Sequence, residues 1–181
     1  MKRFIYLTVI LASVALLVPQ VAGAESKAKG NPPMITNSFA VERGNYGYIW
    51  RIYLEAEDPD GDMSRIAAEV DQTGYGRYPV DWTILKSPYR GKFRGYLQWN
   101  TFSNRTSYLR EWTNITLKVS ILDKAGNESN VVVFPFEFVS GAHREAKPPA
   151  PFNQEGLPRL GYIHIDLFEP TLMGADAQWD K

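Results

Sequence analysis

The 181-residue chain has no cysteine and only two histidines, His143 and His164. Without thiols there is no disulfide framework and no lipid anchor on an N-terminal cysteine, so the fold has to be held by its core. The same absences exclude a Cys/His zinc centre and a Cys–His nucleophilic pair. No G-x-S-x-G, H-E-x-x-H or phosphate-loop pattern occurs either, and the chain reads as a protein that is not an enzyme. Charge of one sign is not in excess, with 20 Lys and Arg against 20 Asp and Glu, which argues against a dedicated nucleic-acid binder. A long 3.6-residue apolar period is missing, so helix has little support. The longest apolar run, Phe4 to Val18, is shorter than the roughly 20 residues that cross a bilayer, and Pro19 ends it.

That run does fit an export signal. Lys2 and Arg3 precede it and Ala22-Gly23-Ala24 supplies small residues for cleavage, so residues 1–24 read as a signal peptide that leaves no transmembrane anchor. The expected location is periplasmic or extracellular, where a disulfide-free domain is allowed. Residues 25–32 are polar with Gly and Pro and read as a flexible N-terminus.

Over residues 33–140, β-branched and aromatic runs alternate with turn clusters, the pattern of an antiparallel all-β domain. The clearest strand runs from Tyr48 to Glu57, with Ile52, Leu54 and Ala56 alternating with Arg51, Tyr53, Glu55 and Glu57. Thr116 to Ile121 and Val131 to Val139 read the same way, and Pro135 assigns the latter to an edge or a bulge. Weaker strands are expected over 35–41, 66–71, 82–85 and 93–99. Seven short strands in about 105 residues suit an immunoglobulin-like sandwich. Residues 141–158 are polar and Pro-rich and read as an extended linker. A strand-like arm follows from Leu160 to Phe168, too small to be a domain by itself.

Two turn motifs stand out, Glu55-Ala56-Glu57-Asp58-Pro59-Asp60-Gly61-Asp62-Met63 and Asp123-Lys124-Ala125-Gly126-Asn127. In this order and spacing they resemble the bacterial immunoglobulin-like and cadherin-like modules of exported proteins. The resemblance covers about Pro33 to Val139 and implies a sandwich in which both turns lie at one end, bringing the Asp58 turn close to Asp123. It implies no particular function, because such sandwiches host adhesion, scaffolding and carbohydrate binding alike.

Three candidate sites follow. Asp58, Asp60, Asp62 and Asp123 offer the oxygen ligands that calcium takes, with Glu55 and Glu57 near by. An EF-hand is excluded because Met63 occupies the position of its sharp-turn glycine. The competing reading is a solvated turn set by Pro59 and Gly61, with the aspartates capping backbone N–H groups. Between Tyr75 and Arg110 aromatics interleave with basic residues, and Trp82, Tyr89, Arg90 and Arg94 are the candidates for stacking on a sugar while holding an anion. The competing reading packs about half of these rings in the core, with Trp82 as a buried sandwich tryptophan. In the arm, Tyr162, Ile163, Ile165 and Leu167 could add to a sheet edge, either of the same domain or of a partner in a homo- or hetero-assembly. The function expected is a binding module for another protein or an envelope glycan, conditioned by calcium if the aspartates hold it. A structural subunit of an extracellular assembly is the alternative.

Overall fold

The computed structural model describes residues 30–45, 47–101, 114–139 and 146–167. The signal segment 1–24, most of the N-terminal segment 25–32, the aromatic-basic residues Phe102, Arg105, Tyr108 and Arg110, His143 and Phe168 lie outside the described residues.

Among the described residues ten strands form two sheets: β1 (Met34–Phe39), β2 (Arg43–Gly44), β3 (Ile49–Glu57), β4 (Met63–Gln72), β5 (Gly76–Arg77), β6 (Asp81–Ile84), β7 (Lys92–Asn100), β8 (Asn114–Asp123), β9 (Val132–Phe138) and β10 (Arg159–Ile163). Sheet A has the order β1-β3-β7-β10, and sheet B the order β2-β9-β8-β4-β5, with β6 also paired to β4. This is an all-β, immunoglobulin-like sandwich. Each expected strand is present: those expected over 66–71, 93–99 and 116–121 run longer, to Met63–Gln72, Lys92–Asn100 and Asn114–Asp123, and the others are trimmed or shifted by a residue or two at their ends.

The alternation in β3 buries Trp50, Ile52, Leu54 and Ala56, and those of β7 and β8 bury Phe93, Leu97 and Trp99, and Ile115, Leu117, Val119 and Ile121. The inner faces of the two sheets meet at the tryptophans. Trp50 lies 4.5 Å from Phe136 and 5.9 Å from Trp99, centroid to centroid. Each indole N–H has an acceptor, the carbonyl of Val41 at 2.9 Å for Trp50 and that of Ile165 at 3.0 Å for Trp99, so neither ring buries an unsatisfied donor. Trp82, a candidate for stacking on a sugar with a buried sandwich tryptophan as the competing reading, is 42% exposed on the outer face of sheet B, so the buried reading does not hold. It stands opposite Ala67 in the β4–β6 pairing and shares that residue's outward direction.

Pro135 pairs with Thr116 in β8. On its other side, among the described residues, β9 meets β2, where the N–H groups of Glu137 and Val139 donate to the carbonyls of Glu42 and Gly44. By the period of two, the nitrogen of Pro135 points the same way, past the end of β2, where no ladder bond is lost.

Residues 146–158 are not an extended linker. The N–H of Phe152 donates to the carbonyl of Pro149 at 2.8 Å, and the Phe152 ring is buried 5.6 Å from Tyr53 on the outer face of sheet A. An apolar ring behind a turn finds an aromatic sheet face beside it and covers it. The chain then enters β10, which runs parallel to β7 in register Tyr162 with Gln98 and Ile163 with Trp99. The residues beyond 140 thus contribute a strand to the sandwich itself.

Two glycines make that seam fit. A Cβ on Gly95 would stand 2.6 Å from the Pro158 carbonyl oxygen, and one on Gly161 would stand 2.3 Å from Thr83. Gly in a strand interior here marks close approach of another segment.

Candidate functional site

The β3–β4 turn is built by its first aspartate. Asp58 Oδ1 accepts from the Asp60 N–H at 2.9 Å and Oδ2 from the Asp62 N–H at 3.2 Å, while its carbonyl accepts from Gly61 at 3.2 Å. Gly61 has φ +70°, which favours glycine. In the β8–β9 turn Asp123 does the same work, accepting from the Asn127 N–H at 2.8 Å and from Asn127 Nδ2 at 2.6 Å. The two turns meet: Met63 pairs with Asp123, and the Lys124 N–H donates to the Asp62 carbonyl at 3.2 Å. Asp60 points to the N-terminal side, where Asn31 donates from its backbone at 2.5 Å and its amide at 3.3 Å.

Asp62 is the exception in this group, because its Oδ1 is buried without a hydrogen-bond partner. Burial, then the charges of Asp123, Asp58 and Asp60, hold its pKa above the ordinary aspartate range, and its protonated form hydrogen-bonds to Asp58. Among the described residues no three acidic or histidine side chains are grouped to hold a metal ion. Glu55 lies on the outer face of sheet A instead, where Arg94 Nη2 donates to it at 2.6 Å and Asn37 Nδ2 at 3.0 Å. The Arg94 hydrogen bond in particular pulls its pKa below the usual glutamate range. Glu57 faces Lys92 at 3.5 Å.

The four candidate ligand-binding residues do not share a surface. Trp82 lies under Arg65, whose Cζ is 4.3 Å from the ring centroid, on sheet B. Tyr89 sits half-buried in a 3-10 turn, Ser87–Tyr89, against the core. Arg90 contributes its backbone carbonyl to Met63 at 3.0 Å, and Arg94 is tied to Glu55 in sheet A. Neighbours in sequence are separated here because strands alternate faces and consecutive strands change sheets.

Of the arm residues, Ile163, Ile165 and Leu167 are buried in the domain's own core. Tyr162 is at the surface with Arg159 Cζ 4.2 Å from its ring centroid.

Sequence reasoning missed a groove of about 310 Å³ on the outer side of sheet A. One wall is Phe39, Val41, Tyr48, Arg51 and Tyr53, and the other is Ala146, Lys147 and Pro148 from the arm. The rings form a shelf: Phe39 is 6.2 Å from Tyr53, which is 5.7 Å from Tyr96, and Arg51 Cζ lies 5.4 Å from the Tyr96 centroid. Arg51 and Tyr53 were visible as the outward positions of the clearest strand. The opposite wall was not, because it arrives from about a hundred residues further along the chain.

No family model matches the chain, and no curated protein sequence is significantly similar to it. Among solved structures it is similar to the PKD domain of an M14-like peptidase from Thermoplasmatales archaeon SCGC AB-540-F20. Identity is 17% and the TM-score 0.42, over 61% of this chain and 99% of that one. The sandwich assignment rests on the strand pairings themselves. No helix among the described residues is long and apolar enough to cross a membrane.

Proposed function

We propose that this chain is an exported, non-catalytic binding module that holds an acidic glycan in the groove between β3 and the arm. The observation that carries the reading is the lining of one cleft by three aromatic side chains, Phe39, Tyr48 and Tyr53, and two cationic ones, Arg51 and Lys147. Sugar rings stack on aromatic faces, and their carboxylates or sulfates meet the cations, so shape and charge act together. The export signal read in residues 1–24 supplies the setting, a bacterial envelope or its exterior. No reaction is assigned to the groove.

Calorimetric titration of the full-length protein with acidic oligosaccharides, and with neutral ones of equal length, tests the reading. The acidic series is expected to bind, with roughly tenfold weaker affinity for Arg51→Gln or Lys147→Gln, since a charge-assisted hydrogen bond is worth about 1.5 kcal/mol. Equal binding of neutral and acidic sugars, or no effect of either substitution, would sink it.

Calcium has a secondary place in the proposal. The partnerless Oδ1 of Asp62, with the charges of Asp58 and Asp123 around it, is where a cation would relieve repulsion. Asp58 and Asp123 already hold their own turns, so a site there is weak and tunes the stability of that end of the domain.

A further inference from the structure

The arm covers part of sheet A, where the Phe152 ring is buried against Tyr53, but the outer face of sheet B keeps apolar side chains in the open. The strand pairings set that face out in rows. One row runs Ile84, Arg65, Leu122 and Glu128 across β6, β4, β8 and the segment that precedes β9, and the next runs Trp82, Ala67 and Ser120. Ile84 is 76% exposed, and Val131 and Val133, on the far side of β8, are each more than half exposed, while Val132 and Phe134 turn to the core. Four of the eight large apolar side chains exposed among the described residues, Trp82, Ile84, Val131 and Val133, therefore belong to this one face. Apolar side chains gathered in this way mark a protein contact, whereas single ones need no explanation.

The charges say which protein fits. Lys118 and Arg77 meet Asp71 at 3.0 and 3.1 Å, Arg77 also reaches Glu69 at 4.0 Å, and Arg43 meets Glu137 at 3.0 Å. Arg65 and Glu128 are left over, each without an oppositely charged partner among the described residues. They flank Leu122 in the first row, two strand spacings or roughly 10 Å apart, and Arg65 is drawn away from Glu128, over the Trp82 ring. A complementary surface has to offer an apolar centre with a carboxylate on one side and a cation on the other, in the reverse order. We infer that the occupant is a second copy of this chain, docked face to face through sheet B about a two-fold axis lying along β8. Turning the face over about that axis exchanges the two sides of the row, so Leu122 meets Leu122 and the Arg65 of each copy meets the Glu128 of the other. Four strands and four outward positions span roughly 19 Å by 20 Å, at the small end of specific interfaces, so the dimer forms at concentrations on the order of tens of micromolar and dissociates on dilution. The groove on sheet A stays open in both copies, and the inference stands apart from the glycan reading.

Sedimentation velocity of the full-length protein from about 1 to 300 μM tests it. The native chain is expected to pass from monomer to dimer in that range. Arg65→Glu and Glu128→Arg should each weaken the dimer by roughly tenfold or more, because each places like charges at both ends of the row. An equimolar mixture of the two variants should restore dimers, since every substituted side chain then meets an opposite charge, and the double variant Arg65→Glu with Glu128→Arg should associate as the native chain does. Recovery in the mixture also shows that both variants are folded. A native chain that stays monomeric throughout, a dimer indifferent to either substitution and so made elsewhere, or a mixture no more associated than its components would overturn the face-to-face dimer.

Discussion

Glu55 and Asp62 are both acidic residues beside the same turn, yet their surroundings act on them in opposite directions. Glu55, only 6% exposed, receives an arginine and an amide and is held ionised. Asp62 keeps a buried oxygen without a partner and, by burial first and then by the negative charges of Asp123, Asp58 and Asp60, is held toward its protonated form. Glu55 stands on the outer face of β3 beside Arg94, whereas Asp62 is carried beyond the end of that strand, in the β3–β4 turn that meets Asp123 and Lys124. The charge of Glu55 is thus matched within the fold, whereas the turn end carries a carboxylate that the fold does not neutralise.

Removing that match gives the largest expected effect. Arg94→Met leaves Glu55 buried with Asn37 alone, and a loss of about 2 kcal/mol is expected at pH 7; breaking a buried pair costs about 3–5 kcal/mol, and the one-third exposed arginine reduces it. Urea unfolding measures it, and the double variant Arg94→Met with Glu55→Gln should recover part of the loss. The pH sense follows from the lowered pKa of Glu55. Its stabilisation is complete above the ordinary glutamate value, about 4.3, and is lost as pH falls through the lower folded value. In Arg94→Met that part of the acid-side slope should be absent.

At the other pole the sign reverses. Asp62 holds its proton more tightly folded than unfolded, so stability is lost as pH rises from about 4 through the raised folded value. Asp62→Asn, which can donate to Asp58 without a charge, should therefore stabilise at pH 7 by roughly 0.5 kcal/mol. The gain should vanish below about pH 4, where aspartate itself is protonated. A destabilised Asp62→Asn at neutral pH would contradict the picture of uncompensated charge.

Calcium should give the smallest effect. For a weak site, calcium at about ten times its dissociation constant stabilises by roughly 1.4 kcal/mol. Scanning calorimetry in millimolar calcium against chelator should show a rise of a few degrees in the native chain and none in Asp62→Asn. An identical Tm in both solutions would remove the cation from the proposal and leave the turn chemistry of Asp58 intact.

The fold was legible because burial imposes a period of two that Ile52, Leu54 and Ala56 display openly, and because Asp58-Pro59-Asp60-Gly61-Asp62 and Asp123 to Asn127 are turn residues with specific geometric duties. The meeting of those two turns followed from strand order. The candidate site was legible only in half. Arg51 and Tyr53 lay on the wet face of the best strand, but the wall made by Lys147 and Pro148 depends on where a Pro-rich stretch lands, which no local period encodes. Trp82 was ambiguous for a related reason: an indole on a short edge strand faces in or out according to pairing register, and opposite Ala67 it faces out. Gly95 and Gly161, each inside a strand-like run, were the signals that something approaches closely there.

The parallel setting of β10 has a mechanical consequence. Asn31 approaches the body at the Asp60 turn, next to where β1 begins opposite Glu57. Because β10 follows the direction of β7, the chain departs at the Ile49 and Asn100 pole, the other end of the long axis. A pull between these two points runs along the strands, so it loads the ladders of sheet A in shear, many hydrogen bonds at once, rather than peeling them one by one.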